Sequence, residues 1–124
     1  MKKAISTDQA PAAIGPYSQA IETDDFVFTS GVIPVNPATG EIPEGVEAQA
    51  EQVFTNLTAL LKASGVCVEQ VVKTTVFIKE MGDFGKINEI YAKYFTGIFP
   101  ARSCVEVARL PKDVLLEVEA VAVK

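Results

Sequence analysis

The chain has 124 residues, enough for one domain with a substantial core, and its 48% hydrophobic content argues against disorder. A net charge of −5 offers no basic face for nucleic acid. The absence of histidine removes Ser-His-Asp and Cys-His nucleophilic catalysis, paired-His ribonuclease chemistry and His-based metal sites.

The opening stretch MKKAISTDQAPAAIGPYSQ has no apolar run of signal-peptide length, and no segment nears the ~18 apolar residues of a membrane span. The expected location is the cytoplasm, with no membrane partner. A strand is predicted from Tyr17 to Glu22 and a second from Phe26 to Gly31, joined as a hairpin by the TDD turn. PVNPATGEIPEG carries turn signals and reads as a loop. Ala50, Val53, Leu57, Leu60 and Leu61 recur at helical spacing, which predicts a helix from about Val46 to Ser64, stopped by Gly65. The sequon NLT at Asn56 falls in mid-helix and carries little weight. The β-branched run from Val71 to Lys79 predicts a strand. A second helix is expected from Asp83, read as its N-cap, to Phe95, with a stripe of Phe84, Ile87, Asn88, Tyr91 and Phe95. Two strands, SCVEVARL and DVLLEVEAVAV, complete the order ββ-α-β-α-ββ. This is an α+β pattern in one domain, residues 1–124, with both helices packed on one face of a sheet.

Parity along the last strand places Val114, Leu116, Val118, Ala120 and Ala122 on one face, and Leu115, Glu117, Glu119, Val121 and Val123 on the other. The second face is too apolar to meet water, and two helices cannot cover both faces. A second copy of the chain is the expected cover.

The residues able to carry chemistry are few. Both arginines, Arg102 and Arg109, fall within FPARSCVEVARLP. Arg102, expected at a loop-to-strand junction, reads either as a planar fork for a carboxylate or as a surface ion pair with one of sixteen acids. Arg109 reads as a surface or interface charge. Glu117 and Glu119 share a strand face with apolar neighbours, so they either position water and protons or form interfacial ion pairs. Asn88 interrupts an apolar stripe and is either a buried amide or a ligand contact. Cys104 lacks a base to activate it and reads as a small buried hydrophobe; Cys67 and Cys104 form no CxxC and read as free thiols. Tyr17 and Ser30 bracket the hairpin, and Gly31 either lets a ligand approach the backbone or forms a plain turn.

The segments IGPYSQA, TSGVIPVNPATGEIP, VVKTTVFIKEMGDFGKINEIYAKYF and FPARSCVEVARLPKDVLLEVEAVAV together resemble the Rid family, also called YjgF, most closely its RidA branch. The resemblance covers nearly the whole chain in order. It implies a chorismate-mutase-like fold and a homotrimer with a central barrel and clefts between subunits. It also implies hydrolytic deamination of short-lived enamine and imine intermediates, such as 2-aminoacrylate, to 2-ketoacids and ammonia, with no cofactor and no metal. Carried over residue by residue, Arg102 holds the substrate carboxylate and Glu117 stands near the attacking water. Tyr17, Ser30, Gly31, Asn88 and Cys104 line the pocket, Cys104 chiefly through its backbone. The run YFTGIFPARS is shorter before the arginine than in some relatives, which leaves side-chain preference open. A binding module that senses 2-ketoacids without turning them over is the alternative reading.

Overall fold

The computed structural model describes residues 1–124, which form one six-stranded sheet with both long helices on one side. The elements are β1 (Lys3–Ile5), β2 (Ala20–Glu22), β3 (Phe26–Thr29), α1 (Val46–Ala63), β4 (Val71–Ile78), α2 (Phe84–Tyr94), β5 (Ala101–Glu106) and β6 (Leu116–Val123). Their order across the sheet is β1-β2-β3-β6-β4-β5. β6, last in sequence, is inserted antiparallel between β3 and β4. β4 and β5 are parallel neighbours, and α2 makes the crossover between them that a parallel pair requires.

The first helix forms where its apolar period dictates. It buries Val46, Ala50, Val53, Phe54, Leu57, Leu60 and Leu61. Gly65, at φ 81°, ends it as a Schellman motif: Val66 N–H donates to Leu61 O and Gly65 N–H to Lys62 O. Asn56, the sequon residue, is buried and spends its amide on the Ile33 and Val35 carbonyls, at 3.0 and 2.9 Å. It thereby ties the loop after β3 to the helix.

The parity of β6 is as expected. Leu116, Val118, Ala120 and Ala122 are buried beneath the helices, beside Thr74, Val76 and Ile78 of β4. The opposite face has no cover within the chain. Phe26, Phe28, Val105 and Val123 are exposed there, while Phe77, Glu117, Glu119 and Val121 are half-buried.

Four expectations need correction. The first strand begins at Ala20, not Tyr17, because a tight turn (Tyr17 N–H to Gly15 O, 2.8 Å) holds the preceding residues out of the ladder. The three-residue β1 adds an edge strand to it. β5 runs from Ala101 to Glu106, so Arg102 lies within the strand rather than ahead of it. Asp83 stands at the N-cap position of α2 as expected, but its side chain makes no capping bond, and it ends a single 3-10 turn, Met81–Asp83, that feeds the helix. Finally, β6 starts at Leu116 because Pro111–Asp113 forms a 3-10 turn with Lys112 and Asp113 both at φ 56°.

Candidate active site

The residues singled out from the sequence fall into two groups, on opposite faces of the sheet. Arg102 pairs with Thr74 in the β4–β5 ladder, and Glu117 pairs with Phe77 in the β4–β6 ladder. Thr74 and Phe77 are an odd number of residues apart, so their side chains point to opposite faces. Thr74 is fully buried beneath the helices, which places Arg102 and Cys104 on that side and Glu117 on the open side.

The helix-side group is built around the guanidinium. Arg102 Nη1 donates to Asn88 Oδ1 at 2.7 Å. Its Cζ lies 4.8 Å from the centre of the Tyr91 ring and 5.3 Å from that of Phe84. Such cation–π contacts contribute about 0.5–2 kcal/mol, more as water is excluded. The three ion pairs of the chain are Lys93–Glu51, Arg109–Asp113 and Lys124–Glu22, so Arg102 has no carboxylate partner. The ion-pair reading fails for Arg102; Arg109 is a surface charge, as expected, its Nε meeting Asp113 Oδ1 at 2.8 Å in the open. Asn88 is half-buried and serves the arginine rather than the backbone. Cys104, two residues along the strand, packs against the core. Burial pushes its thiol pKa up and outweighs the pull of Arg102, so it stays a thiol.

The open-side group lines a cleft of about 720 Å³, which holds Tyr17, Ser30, Gly31 and Glu117 together with Glu119 and Lys112. β3 leaves β6 after Thr29 and meets it again only at the Val32–Val118 bridge. Ser30 and Gly31 occupy the gap, and the Thr29 hydroxyl accepts the Ala120 N–H that the departing strand would otherwise leave free. Glu117 folds over Gly31 so closely that a Cβ there would sit 1.9 Å from Oε1. Glycine is needed at 31 for close approach. Burial, and then the neighbouring Glu119, raises the Glu117 carboxyl above the ordinary carboxylate range. Ser30 Oγ donates to Ser18 O at 2.7 Å, and Tyr17 OH accepts the Ile14 N–H at 3.3 Å.

Sequence reasoning missed Gln19. Its buried side chain accepts the Thr7 N–H and donates to the carbonyls of Thr7, Ala10 and Pro11, pinning the segment that walls the cleft. Its only trace in the sequence is its place in YSQA. Tyr91 and Phe84 were read as a core stripe, yet both also face the arginine.

A family model described as "Endoribonuclease L-PSP" matches residues 7–124. The 2-iminobutanoate/2-iminopropanoate deaminase of Escherichia coli K12 is 54% identical over 127 aligned residues, covering 100% of this chain and 99% of that one. The chain belongs to the Rid (YjgF) family. Among Rid structures, the YjgF product of E. coli superposes with a TM-score of 0.95 at 54% identity, covering 98% of each chain. E. coli TdcF, solved with bound serine, gives 0.95 at 50% identity and the same coverage. The single α+β domain, its six-stranded sheet and its two helices are those of Rid structures.

Proposed function

We propose that the chain is a 2-imino acid deaminase whose sites form between subunits of a homotrimer. The observation that carries the reading is the unpaired Arg102 guanidinium, set on aromatic rings, in a chain that matches a named deaminase along its whole length. A planar cation with no carboxylate partner within the chain suits a planar carboxylate, which it can grip through two parallel hydrogen bonds.

Arg102 and Glu117 of one chain face away from each other, so one substrate meets both only if a neighbour supplies one of them. The uncovered apolar face gives the reason to assemble: three such faces closing into a central barrel would remove Phe26, Phe28 and Val105 from water. In the resulting cleft, Arg102 with Asn88 and Cys104 holds the carboxylate end of the imine. Glu117, with Tyr17, Ser30 and Gly31, stands at the C=N carbon. The Gly31 N–H, which has no partner within the chain, is a donor for the bound acid.

Glu117 orients water and takes a proton as the water oxygen attacks the imine carbon. Glu117 returns that proton to the nitrogen, giving the neutral aminol, which then collapses: the hydroxyl proton passes by way of Glu117 to the nitrogen, the C–N bond breaks, ammonia leaves and the carbonyl forms. The sum is imine plus water to 2-ketoacid plus ammonia. The imine is already electrophilic, so position and polarity account for most of what the protein must supply. No metal or cofactor enters this scheme. The chain is placed in the cytoplasm, in keeping with two unpaired cysteines; no helix is long and apolar enough to cross a membrane. Endoribonuclease action, the family model's description, would need a cationic surface that a net charge of −5 without histidine does not provide.

The test is subunit complementation. Arg102→Ala and Glu117→Gln are purified, each checked as a trimer by light scattering, then dissociated together and reassembled. Random cyclic mixing leaves about a quarter of the clefts with both wild-type residues, so the inactive pair should regain roughly that share of imine hydrolysis. A mixture as inactive as its parts would place the site within one chain, and a particle near the monomer mass of 13.3 kDa would remove the trimer.

A further inference from the structure

Arg102 is a long, flexible side chain on an edge strand, and no acidic group within the chain fixes it. A grip on a planar carboxylate requires the guanidinium plane to be set before the ligand arrives. Asn88 alone, through one bond to Nη1, leaves rotation about that bond open. The second constraint comes from beneath. We propose that Tyr91 is a positioning residue for Arg102, its ring acting as the platform that sets the guanidinium plane, with Thr74 as the anchor of that ring.

The Tyr91 ring is held by three contacts besides the arginine. Tyr91 OH and Thr74 Oγ1 share a buried hydrogen bond of 2.8 Å. The ring stacks on Phe95, with centres 4.4 Å apart and planes at 30°, and meets Phe54 edge-on at 5.5 Å. Thr74 is the direct cross-strand partner of Arg102 on the same face, so one pair of neighbouring residues holds both the cation and the foot of its support. Burial pushes the Tyr91 phenol up, against the smaller pulls of Thr74 and Arg102. It therefore stays neutral and offers a π-face, not a competing anion. Phe84 lies near the guanidinium from the first turn of the same helix. This arrangement suits a flat, weakly hydrated guanidinium and not an ammonium, a second reason for arginine at this position besides the fork.

The inference rests on the carboxylate grip of Arg102, and the experiment separates the two. Kinetics of 2-imino acid hydrolysis are measured for wild type, Tyr91→Leu, Arg102→Ala and the double variant, with trimer mass and thermal midpoint for each. Tyr91→Leu should raise KM about tenfold with a smaller change in kcat, because the grip loosens while Glu117 is untouched. In the Arg102→Ala background the same substitution should change little, since there is no guanidinium left to position. An equal loss in both backgrounds would make Tyr91 a matter of folding alone and overturn the inference. Full activity of Arg102→Ala would instead overturn the grip, and the platform with it. Should Tyr91→Leu fail to fold, Tyr91→Phe/Thr74→Val keeps the packing, removes both hydroxyls of the anchor and leaves none unpaired. A KM raised a few-fold is expected there, again only where Arg102 is present.

Discussion

The two faces of one sheet solve the problem of placing a functional side chain in different ways. On the helix side, the chain completes its own work: Arg102 rests on Tyr91, is bonded by Asn88, and lies beside a core of buried aromatic rings. On the open side, Glu117 stands in a cleft with one wall built from the pinned N-terminal segment and an apolar surface waiting for cover. The first half-site is organised by folding. The second is organised in part by folding and in part, under the proposed function, by assembly. The cation, which must be aimed, has the rigid setting. The carboxylate, which under the proposed function takes and returns a proton, has the tunable one.

The largest effect should come from breaking the rigid half. Arg102→Lys is expected to be nearly as damaging as Arg102→Ala, about 10²-fold in kcat/KM, because lysine keeps the charge but loses the fork and the stacking. Comparison of both variants with wild type in imine hydrolysis checks this; a lysine enzyme within a few-fold of wild type would show that charge alone suffices and that aim is unimportant.

The tunable half should respond in rate and in pH. Glu117→Gln is expected to lower kcat by about 10²-fold while leaving the affinity for a stable 2-ketoacid nearly unchanged. Burial and Glu119 raise the Glu117 carboxyl, so the native chain holds that proton more tightly than the unfolded chain does. Its contribution to stability therefore falls as pH rises from the ordinary carboxylate range through the raised value. Under the proposed function activity runs the opposite way: the ionised form is the one that takes the proton, so the rate is expected to fall as pH drops through that value. Glu119→Gln removes the lesser of the two causes, so the acid limb of the kcat/KM profile should move to lower pH without reaching the ordinary range. A limb that stays in place would mean that Glu117 does not govern it.

The smallest effect is expected at Cys104. Burial keeps it a thiol, so Cys104→Ala should retain most of the turnover. Loss of activity in a folded Cys104→Ala trimer would move nucleophilic character to the rigid half and upset the division between the two.

Much of this was legible in the sequence where the signal is local. The period of Ala50, Val53, Leu57 and Leu61 with Gly65 after it located α1, and the alternation of Leu116 to Val123 located both faces of β6. Where the cause is non-local, the reading failed. β1 is three residues long and exists only by pairing with β2. β5 takes its limits from β4, its parallel neighbour, so Arg102 was expected outside the strand that carries it. Two consecutive non-glycine residues at positive φ in Lys112–Asp113 have no composition that announces them. At the site, residue type and motif singled out Arg102 and Glu117. That they face apart follows only from the register across β6, β4 and β5, which no single segment contains.

Gly31 has a consequence for how this chain can change over generations. The space a methyl group would fill is held by the end of a flexible side chain, Glu117 Oε1, and not by backbone. An alanine there is met by swinging the carboxylate aside, at small cost to folding and, under the proposed function, at a large cost to turnover. Selection acting through stability would be nearly blind to that substitution, whereas selection acting through turnover would see it at once. On the proposed function, the glycine is thus held in place by the work of its neighbour.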